Sequence, residues 1–365
     1  MLLILSFCTL LILLVTLLPL SRHPHWIIRG MDFPRLQFGI FAASLLVAHF
    51  LFLDIQMFIT QALVSATTSC LIWQIWWILP YTFLWPREVK TSSDGNSESQ
   101  LSILTSNVLT TNRNADALIG LVQKHQPDVL VTLESDQWWE DKLKVLEADM
   151  PYSIKCPLDN LYGMHVFSRL HFDEEEISYL VEKDVPSIHA SFELRTGDKV
   201  RIHFVHPAPP SPTENPESAE RDAELVIVAQ SVVESEQPVI VTGDLNDVAW
   251  SATTRLFRKI SGLLDPRVGR GMFNTFHVDY PLLRWPLDHL FHSQHFTVRD
   301  IQRLPPIGSD HYALLTRLSI TPARGANQEG LKAVATDHDW AKEISEEQEV
   351  SKNDVPKPGE STQVK

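Results

Sequence analysis

Carboxylate, amide and imidazole side chains follow apolar runs at several distant places in this 365-residue sequence. The run "DVLVTL" ends at Glu134, and "VIVTG" leads into Asp244 and Asn246. The segment "PPIGSDHYALL" places Asp310 and His311 between a turn and an apolar run. The pattern also includes Asn107, His206 and Asp288. Because a packed sheet brings neighbouring strand ends to one rim, we expect these groups to converge.

The chemistry of this set favours a hard divalent cation and phosphoryl transfer. Carboxylate and amide oxygens without a thiolate prefer Mg²⁺ or Mn²⁺ to zinc. A carboxylate accepts a proton from water, and an imidazole holds a phosphate oxygen. The three cysteines, Cys8, Cys70 and Cys156, lie outside the pattern and build no disulfide framework.

Short strands alternating with helices must position these groups. The apolar spacing of "RNADALIGLVQKH" and "SAERDAELVIVAQSVVES" predicts two amphipathic helices. Strands are predicted at "LSILTSNV", "PDVLVTLE", "YGMHVFSRL", "SIHASFEL", "KVRIHFVH", "PVIVTGDLN" and "HYALLTRLSI". The segments "PLDHLFHS" and "HFTVRDIQRL" resemble a hairpin before the last strand. This order predicts an α/β fold of two packed mixed sheets flanked by helices.

Three apolar segments precede this part: residues 2–20, 36–53 and 57–85. Each is about long enough to cross a bilayer, and tryptophans near the end of the third are typical of an interfacial belt. A cleaved signal peptide is disfavoured, because the first segment lacks a basic start and a small-residue cleavage site. A buried helical core is disfavoured by the length and apolarity of the segments.

Four regions follow from these patterns. Residues 1–86 are predicted to be a membrane anchor with three transmembrane helices, and residues 87–100 a polar linker. Residues 101–320 are predicted to form the α/β domain. Residues 321–365, rich in charged and polar side chains, are predicted to be a disordered acidic tail.

Charge predicts the side on which the domain lies. The loop between the first two apolar segments carries Arg22, Arg29 and Arg35. With three crossings, this loop and the α/β domain share one side, and positive loops favour the cytoplasm. The chain as a whole carries a formal net charge of −14, which argues against broad contact with a nucleic-acid backbone but leaves room for a local basic groove.

Six motifs in a fixed order give the sequence a recognisable likeness: "TSNV", "LVTLES", "HPAPP", "VTGDLND", "WPLDHLF" and "GSDHYALL". With these motifs, residues 101–318 resemble the endonuclease/exonuclease/phosphatase superfamily, which includes pancreatic deoxyribonuclease, apurinic endonucleases, neutral sphingomyelinases and inositol-polyphosphate 5-phosphatases. The segment "FNTFHVDYPLLRWPLDH" and the multi-helix N-terminus are similar to a bacterial membrane-anchored branch. The resemblance implies a four-layer α/β sandwich that is anchored to a bacterial inner membrane.

The resemblance also implies roles for the rim residues. Glu134 would be the principal ligand of Mg²⁺ or Mn²⁺, with Asn107 beside it and Asp310 on the far side. Asp244 would orient or deprotonate the attacking water, and Asn246 would hold the phosphate. Asp288 would pair with His311 and fix its tautomer and charge. His311 would stabilise the transition state, and His206 would contact the phosphate.

Each residue also has a structural interpretation. Asn107 and Glu134 suit strand ends, Asp244 suits a helix N-cap, and His206 suits a plain loop. Asp288 has Arg284 as an alternative partner. The ordered set favours a membrane-anchored metal-dependent phosphoesterase over the alternative, a catalytically inactive interaction module of the same fold. The expected substrate is a lipid-derived, small-molecule or nucleic-acid phosphoester, and the expected partner surface is the lipid bilayer; the sequence leaves protein partners open.

Overall fold

The protein, seen in a computed structural model, is described here for residues 1–92, 96–235, 237–321 and 328–359. The α-helices are α1 (Leu2–Leu17), α2 (Trp26–Gly30), α3 (Arg35–Phe52), α4 (Phe58–Ile78), α5 (Ala115–His125), α6 (Gln137–Leu143), α7 (Ala219–Val233), α8 (Ala252–Ser261) and α9 (Ala335–Glu347). Short 3₁₀ helices cover Leu18–Ser21, Leu79–Tyr81, Lys144–Ala148 and Lys352–Asp354.

Two mixed β-sheets form the centre of the domain. The strands are β1 (Gln100–Asn107), β2 (Val129–Leu133), β3 (Tyr152–Cys156), β4 (Met164–Ser168), β5 (Phe172–Ser178), β6 (Ser187–Glu193), β7 (Lys199–Phe204), β8 (Val239–Asp244), β9 (Asp288–His292), β10 (Phe296–Arg303) and β11 (Leu314–Ile320). The first sheet has the order β10-β11-β1-β2-β4-β3, and the second has the order β5-β6-β7-β8-β9. The predicted strands are therefore present.

Apolar burial explains the layers. Side chains from both sheets, such as Val131, Ile202 and Ile240, pack between them in one core. Helices α5 and α6 cover the outer face of the first sheet, and helices α7 and α8 cover that of the second. Strands with residues buried on both faces read as continuous apolar runs, as "VLVTL" does in β2. The domain is thus the four-layer α/β sandwich that the sequence predicts.

The predicted hairpin of β9 and β10 is wrong. The two strands follow one another within a few residues, but β9 pairs with β8 in the second sheet and β10 pairs with β11 in the first. A connection of this length serves a hairpin or a corner between two packed sheets equally well. Its sequence therefore does not distinguish them, and the packing of the two sheets decides.

Three helical stretches at the N-terminus are long and apolar enough to cross a membrane: Leu2–Ser21, Arg35–Phe52 and Phe58–Tyr81. Their polar side chains face one another, since Gln74 on α4 donates to Thr16 on α1 (2.9 Å) and accepts from Arg35 at the start of α3 (3.2 Å). The loop that follows α1 lies against the domain, where Arg29 pairs with Asp222 at 3.1 Å. This loop and the domain share one side of the helices, as the sequence predicts.

The region expected to be a disordered tail differs from that expectation over residues 335–347. Helix α9 packs Trp340, Ala341 and Ile344 against α7 and α8. An average composition hides this short amphipathic pattern, because its apolar face is only a few residues wide. Residues 322–327 and 360–365 of the expected tail, and residues 93–95 of the expected linker, lie outside the described residues.

Candidate active site

The two sheets face each other with their polar strand ends at the same rim. The hydroxyl oxygens of Thr105 on β1 and Thr242 on β8 lie 3.0 Å apart across the sandwich. Alternate residues of a strand point to the same face, so Asn107 and Asp244, two residues further along each strand, must also meet. The Asn107 amide nitrogen indeed lies 3.2 Å from Asp244 Oδ2.

Asn107 joins two carboxylates. Its amide nitrogen donates to Glu134 Oε1 at 2.7 Å as well as to Asp244, while its amide oxygen accepts the Leu109 N–H at 3.0 Å. Glu134 follows β2 in a left-handed backbone conformation (φ 56°), which turns its side chain toward the rim. The nitrogen, rather than the oxygen, of Asn107 faces the carboxylates. This orientation fits a residue that positions Glu134 better than it fits a metal ligand.

His311 lies between the other two acids of the rim. Asp244 and Asp288 are direct partners across the β8–β9 pair. The imidazole Nδ1 is 2.8 Å from Asp288 Oδ2, and Nε2 is 3.5 Å from Asp244 Oδ2. Burial disfavours a charged imidazole, but these two carboxylates outweigh it and raise the pKa of His311 to about 10. His311 is therefore a cation at neutral pH.

Asn246 is held beside Asp244 by backbone contacts. Its N–H donates to Asp244 Oδ1 at 2.9 Å, and its side-chain nitrogen donates to the Pro207 carbonyl at 3.0 Å. Although burial opposes ionisation of Asp244, the positive His311 lowers the pKa of this carboxyl, which stays ionised. Asp244 and Asn246 together combine a charged acceptor with an amide that is held in a fixed position.

His206 follows β7 and is buried next to the same rim. Its ring centre lies 5.4 Å from that of Tyr162, and its Nδ1 has no hydrogen-bond partner among the described residues. Burial lowers the pKa of His206 to about 4, so this imidazole is neutral. The neighbouring backbone is close: a Cβ on Gly243 (φ 151°) would lie 1.8 Å from the Val205 carbonyl oxygen, so only glycine fits there.

Asp310 reaches the rim through Ser309. The Ser309 hydroxyl lies 2.8 Å from the Asn107 carbonyl oxygen and 3.3 Å from Asp310 Oδ1, and it accepts the His311 N–H at 3.0 Å. Asp310 is half-buried. All the predicted site residues thus lie at one rim, with Asp310 at its more open side.

The charge of this rim fits a divalent cation. Glu134, Asp244, Asp288 and Asp310 bring four carboxyl groups, and the only cation paired with Asp244 or Asp288 among the described residues is His311. Burial raises the pKa of Glu134 to about 7, and it outweighs the Asn107 hydrogen bond and the charge of His311, which lower it. Asp288 Oδ1 is also buried without a partner among these residues.

One cluster at the rim has the spacing of a metal site but not its chemistry. Ligand atoms of Asp244, Asp288 and His311 lie within 4.8 Å of one another. His311 holds a proton on Nδ1 toward Asp288 and is cationic, so it cannot donate a lone pair to a metal. The Glu134 side of the rim offers carboxylate oxygens that have no paired cation within the described part of the chain, so it is the better place for Mg²⁺ or Mn²⁺.

Two further residues shape the site. The Phe276 ring lies 4.9 Å from the His311 ring and fixes the plane of the imidazole. Arg221 on α7 donates to the Asn246 carbonyl at 2.7 Å. Phe276 belongs to the segment "FNTFHVDYPLLRWPLDH", which is part of the family resemblance. Arg221 gives no local signal, because it lies in an ordinary helix. By contrast, His165 is a buried sheet residue 2.6 Å from the Ser135 hydroxyl and has no place in the site.

Comparison with known proteins agrees with this geometry. The family model "Endonuclease/Exonuclease/phosphatase family" matches residues 104–311. The crystal structure of D. rerio TDP2 complexed with single strand DNA product has a TM-score of 0.50 and 19% identity, covering 60% of this chain and 99% of that one. The human Nocturnin catalytic domain with bound sulfate anion has a TM-score of 0.50 and 18% identity, covering 61% and 96%. No curated protein matches the chain.

Proposed function

Since this chain belongs to the Endonuclease/Exonuclease/phosphatase family, we propose that it is a membrane-anchored, divalent-metal-dependent phosphoesterase that hydrolyses its substrate by attack of water. The observation that supports this most is the charged set at one rim: a histidinium lies between two carboxylates, beside a third carboxyl, Glu134, that forms no ion pair among the described residues. Members of this family are metal-dependent hydrolases of phosphoester bonds.

In this proposal Glu134 and Asp310 hold Mg²⁺ or Mn²⁺, and Asn107 keeps the Glu134 carboxylate in place. The metal, when bound, would neutralise phosphate charge and polarise the phosphoryl oxygen. Asp244 accepts the proton of the attacking water, which suits a carboxylate that stays ionised.

The remaining residues act on the phosphate. His311, kept protonated by Asp288, donates from Nε2 to the oxygen on which charge develops. Asn246 binds a second phosphate oxygen through its side-chain amide. His206 is neutral, so it contacts the phosphate as a hydrogen-bond donor and not as a counter-ion.

The loop after Phe276 favours a substrate at the bilayer surface. The backbone of this loop contacts the site, since the Val278 N–H donates to the Asp310 carbonyl at 2.8 Å. The tip of the loop contacts the anchor, since the Gln37 side chain on α3 donates to the Leu282 carbonyl at 2.6 Å. Leu282 is 83% exposed and Leu283 49% exposed beside the start of an apolar span. An apolar tip at that height suits insertion among lipid headgroups.

Lipid-derived phosphoesters are therefore the favoured substrate class. Nucleic acid is the competing class, because D. rerio TDP2 was solved with a single strand DNA product. The net charge of −14 weakens that alternative, since a duplex is gripped by clustered lysine and arginine.

Full-length protein in detergent, assayed with Mg²⁺ or with a chelator, tests the proposed activity. The substrates are bis-p-nitrophenyl phosphate, phospholipid vesicles and plasmid DNA. We expect metal-dependent hydrolysis that Asp244→Asn abolishes and that Asp116→Asn, an exposed acid on α5, leaves unchanged. Metal-independent turnover, or no turnover on any phosphoester, would favour an inactive interaction module instead.

A double variant separates the substrate classes. Leu282→Glu with Leu283→Glu should lower the rate on vesicles by about tenfold or more, because charged tips do not insert into lipid. The rate on bis-p-nitrophenyl phosphate should stay the same. An equal loss on both substrates would mean that the loop only supports the fold of the site.

We also propose that the domain faces the cytoplasm of a bacterial cell, on the basis of Arg22, Arg29 and Arg35 in the loop that lies on its side. Protease added outside intact cells should leave the domain uncut, and lysed cells provide the positive control. Digestion of the domain in intact cells would place it on the opposite side.

A further inference from the structure

A polar cavity lies where the ends of the three apolar helices meet the domain. Its volume is about 270 Å³. Its walls come from the turn after α1, the start of α3, the end of α4, and helices α8 and α9. The cavity is therefore at the level where the apolar part of a span gives way to water, and it is separate from the rim that carries Glu134 and His311.

The cavity contains an arginine without an acid partner. Its wall includes the side chains of Trp73 and Trp77. Arg255 on α8 stacks over Trp77, with the guanidinium carbon 5.0 Å from the ring centre. Within the described ranges no carboxylate forms an ion pair with Arg255. Buried charges are normally paired, so this half-buried guanidinium indicates a site for an anion.

The charge of the lining is also positive. Arg22, Arg35, Arg255 and Lys259 line the cavity together with two acids, Asp32 and Asp337. Asp32 is paired with Arg35, and Asp337 is paired with Lys259 at 2.9 Å. The two acids are thus neutralised, and the charges of Arg22 and Arg255 remain. A net positive cavity is unusual in a chain with a net charge of −14.

We propose that this cavity binds the phosphate of an anionic phospholipid in the leaflet on the domain side. A phosphate supplies only acceptors, which the guanidinium groups of Arg22 and Arg255 require. Arginine is the side chain best suited to hold a phosphate through two parallel hydrogen bonds. The bound lipid would join helix α8 of the domain to helix α4 of the anchor.

A lipid is favoured over a free anion by the apolar surroundings. The cavity opens beside the ends of the candidate spans Leu2–Ser21 and Phe58–Tyr81, where acyl chains would lie along the helices. Basic cavities between helix ends on the cytoplasmic side are typical sites for anionic headgroups. This inference rests on the membrane anchoring in the proposed function, but it does not depend on the catalytic activity.

Thermal unfolding of the full chain in detergent tests the site. Phosphatidylglycerol should raise the melting temperature, because a ligand that binds only the folded state stabilises it. Phosphatidylcholine, and inorganic phosphate at the same concentration, should not. Arg255→Gln should weaken the apparent affinity for phosphatidylglycerol by about tenfold or more, the usual cost of losing a charged hydrogen bond. Arg299→Gln, an exposed arginine on β10, is the matched control.

Native mass spectrometry of the wild-type protein gives a second readout that does not depend on how the variants fold. The protein should retain at least one phosphatidylglycerol in preference to phosphatidylcholine. An equal shift in Arg255→Gln and wild type, an equal effect of inorganic phosphate, or no preference for the anionic lipid would each overturn the proposal. None of these results would bear on the metal-dependent hydrolysis.

Discussion

The His311 imidazole lies between two carboxylates, with Nδ1 2.8 Å from Asp288 Oδ2 and Nε2 3.5 Å from Asp244 Oδ2. The shorter contact is to Asp288, whose side chain is fully buried. Asp288 therefore fixes the charge and the tautomer of the ring, while the other nitrogen faces the acid that we assign to the attacking water. The two ring nitrogens have different partners and different tasks.

His311→Ala should lower kcat by about 10²–10³-fold with little change in KM, which is typical for the loss of one preorganised donor. Asp288→Asn should have a similar effect. The double variant should lose much less than the product of the two, because the residues act as one unit. Steady-state kinetics on bis-p-nitrophenyl phosphate measures this. A normal kcat for His311→Ala, with a lowered melting temperature, would leave His311 with a purely structural role.

Metal affinity should depend on pH through Glu134. Burial raises the pKa of this carboxyl to about 7, so below pH 7 a metal ion must displace its proton. We expect the apparent affinity for Mg²⁺ to fall by up to about tenfold per pH unit from pH 7 to pH 5.5, and to level off above pH 8. Titration calorimetry of the full chain measures both limbs.

Glu134→Gln should bind Mg²⁺ more weakly at pH 8 and lose most of this pH dependence, because the variant has no proton to displace. Glu193→Gln, which changes an exposed acid at the end of β6, should behave like the wild type. If Glu134→Gln keeps the wild-type affinity across this range, Glu134 does not bind the metal.

Stability should fall with rising pH through Glu224. This side chain of α7 is buried, and its Oε1 has no partner among the described residues. Burial, and then the nearby Glu182, raise the pKa of Glu224 to about 8 from 4.5. The folded state therefore holds a proton that the unfolded state releases, so stability is greatest below pH 4.5 for this group and is lost between about pH 5 and 8.

Glu224→Gln should remove this loss, because a neutral amide has no proton to release. The melting temperature of the variant should exceed that of the wild type at pH 8.5, and the difference should shrink as the pH falls toward 5. The slope for one group is at most about 1.4 kcal/mol per pH unit. Equal pH profiles for wild type and variant would show that Glu224 ionises freely in the folded protein.

The anchor should support the site through one chain of buried contacts. Arg29 on the short helix α2 pairs with Asp222 at 3.1 Å, Asp222 accepts from Arg221 at 2.8 Å, and Arg221 donates to the Asn246 carbonyl at 2.7 Å. The Trp250 indole N–H also donates to the Asp32 carbonyl at 2.8 Å. A fragment of residues 95–320 would lose these links to the anchor.

Arg29→Gln should therefore lower the free energy of unfolding by about 1–3 kcal/mol, less than for an isolated buried pair because Asp222 keeps Arg221. It should also lower kcat, since the Asn246 backbone loses part of its support. Arg299→Gln serves as the control for charge. A wild-type melting temperature in Arg29→Gln would mean that this chain of contacts does not support the domain.

The local patterns of the sequence were enough for the two sheets, the three apolar spans and the polar strand ends. Asn107, Glu134 and Asp244 stand out because each is a polar residue that directly follows an apolar run. Their order along the chain, together with the other motifs, carries the family resemblance. The period of two in a strand places Asn107 on the face of Thr105 and Asp244 on the face of Thr242. These properties are local, so they can be read without knowing which elements pack together.

Packing between distant elements decided the rest. Apart from the family resemblance, nothing near Asp288 indicates that its partner is His311 and not Arg284. The pairing arises because β9 lies beside β8 in one sheet while the turn before β11 belongs to the other. The amide orientation of Asn107, the ordered helix α9 and the contact of Arg29 with Asp222 likewise depend on surfaces far apart in the chain. Each is a choice among partners of equal local chemistry, and only the assembled layers place one of them within hydrogen-bonding distance.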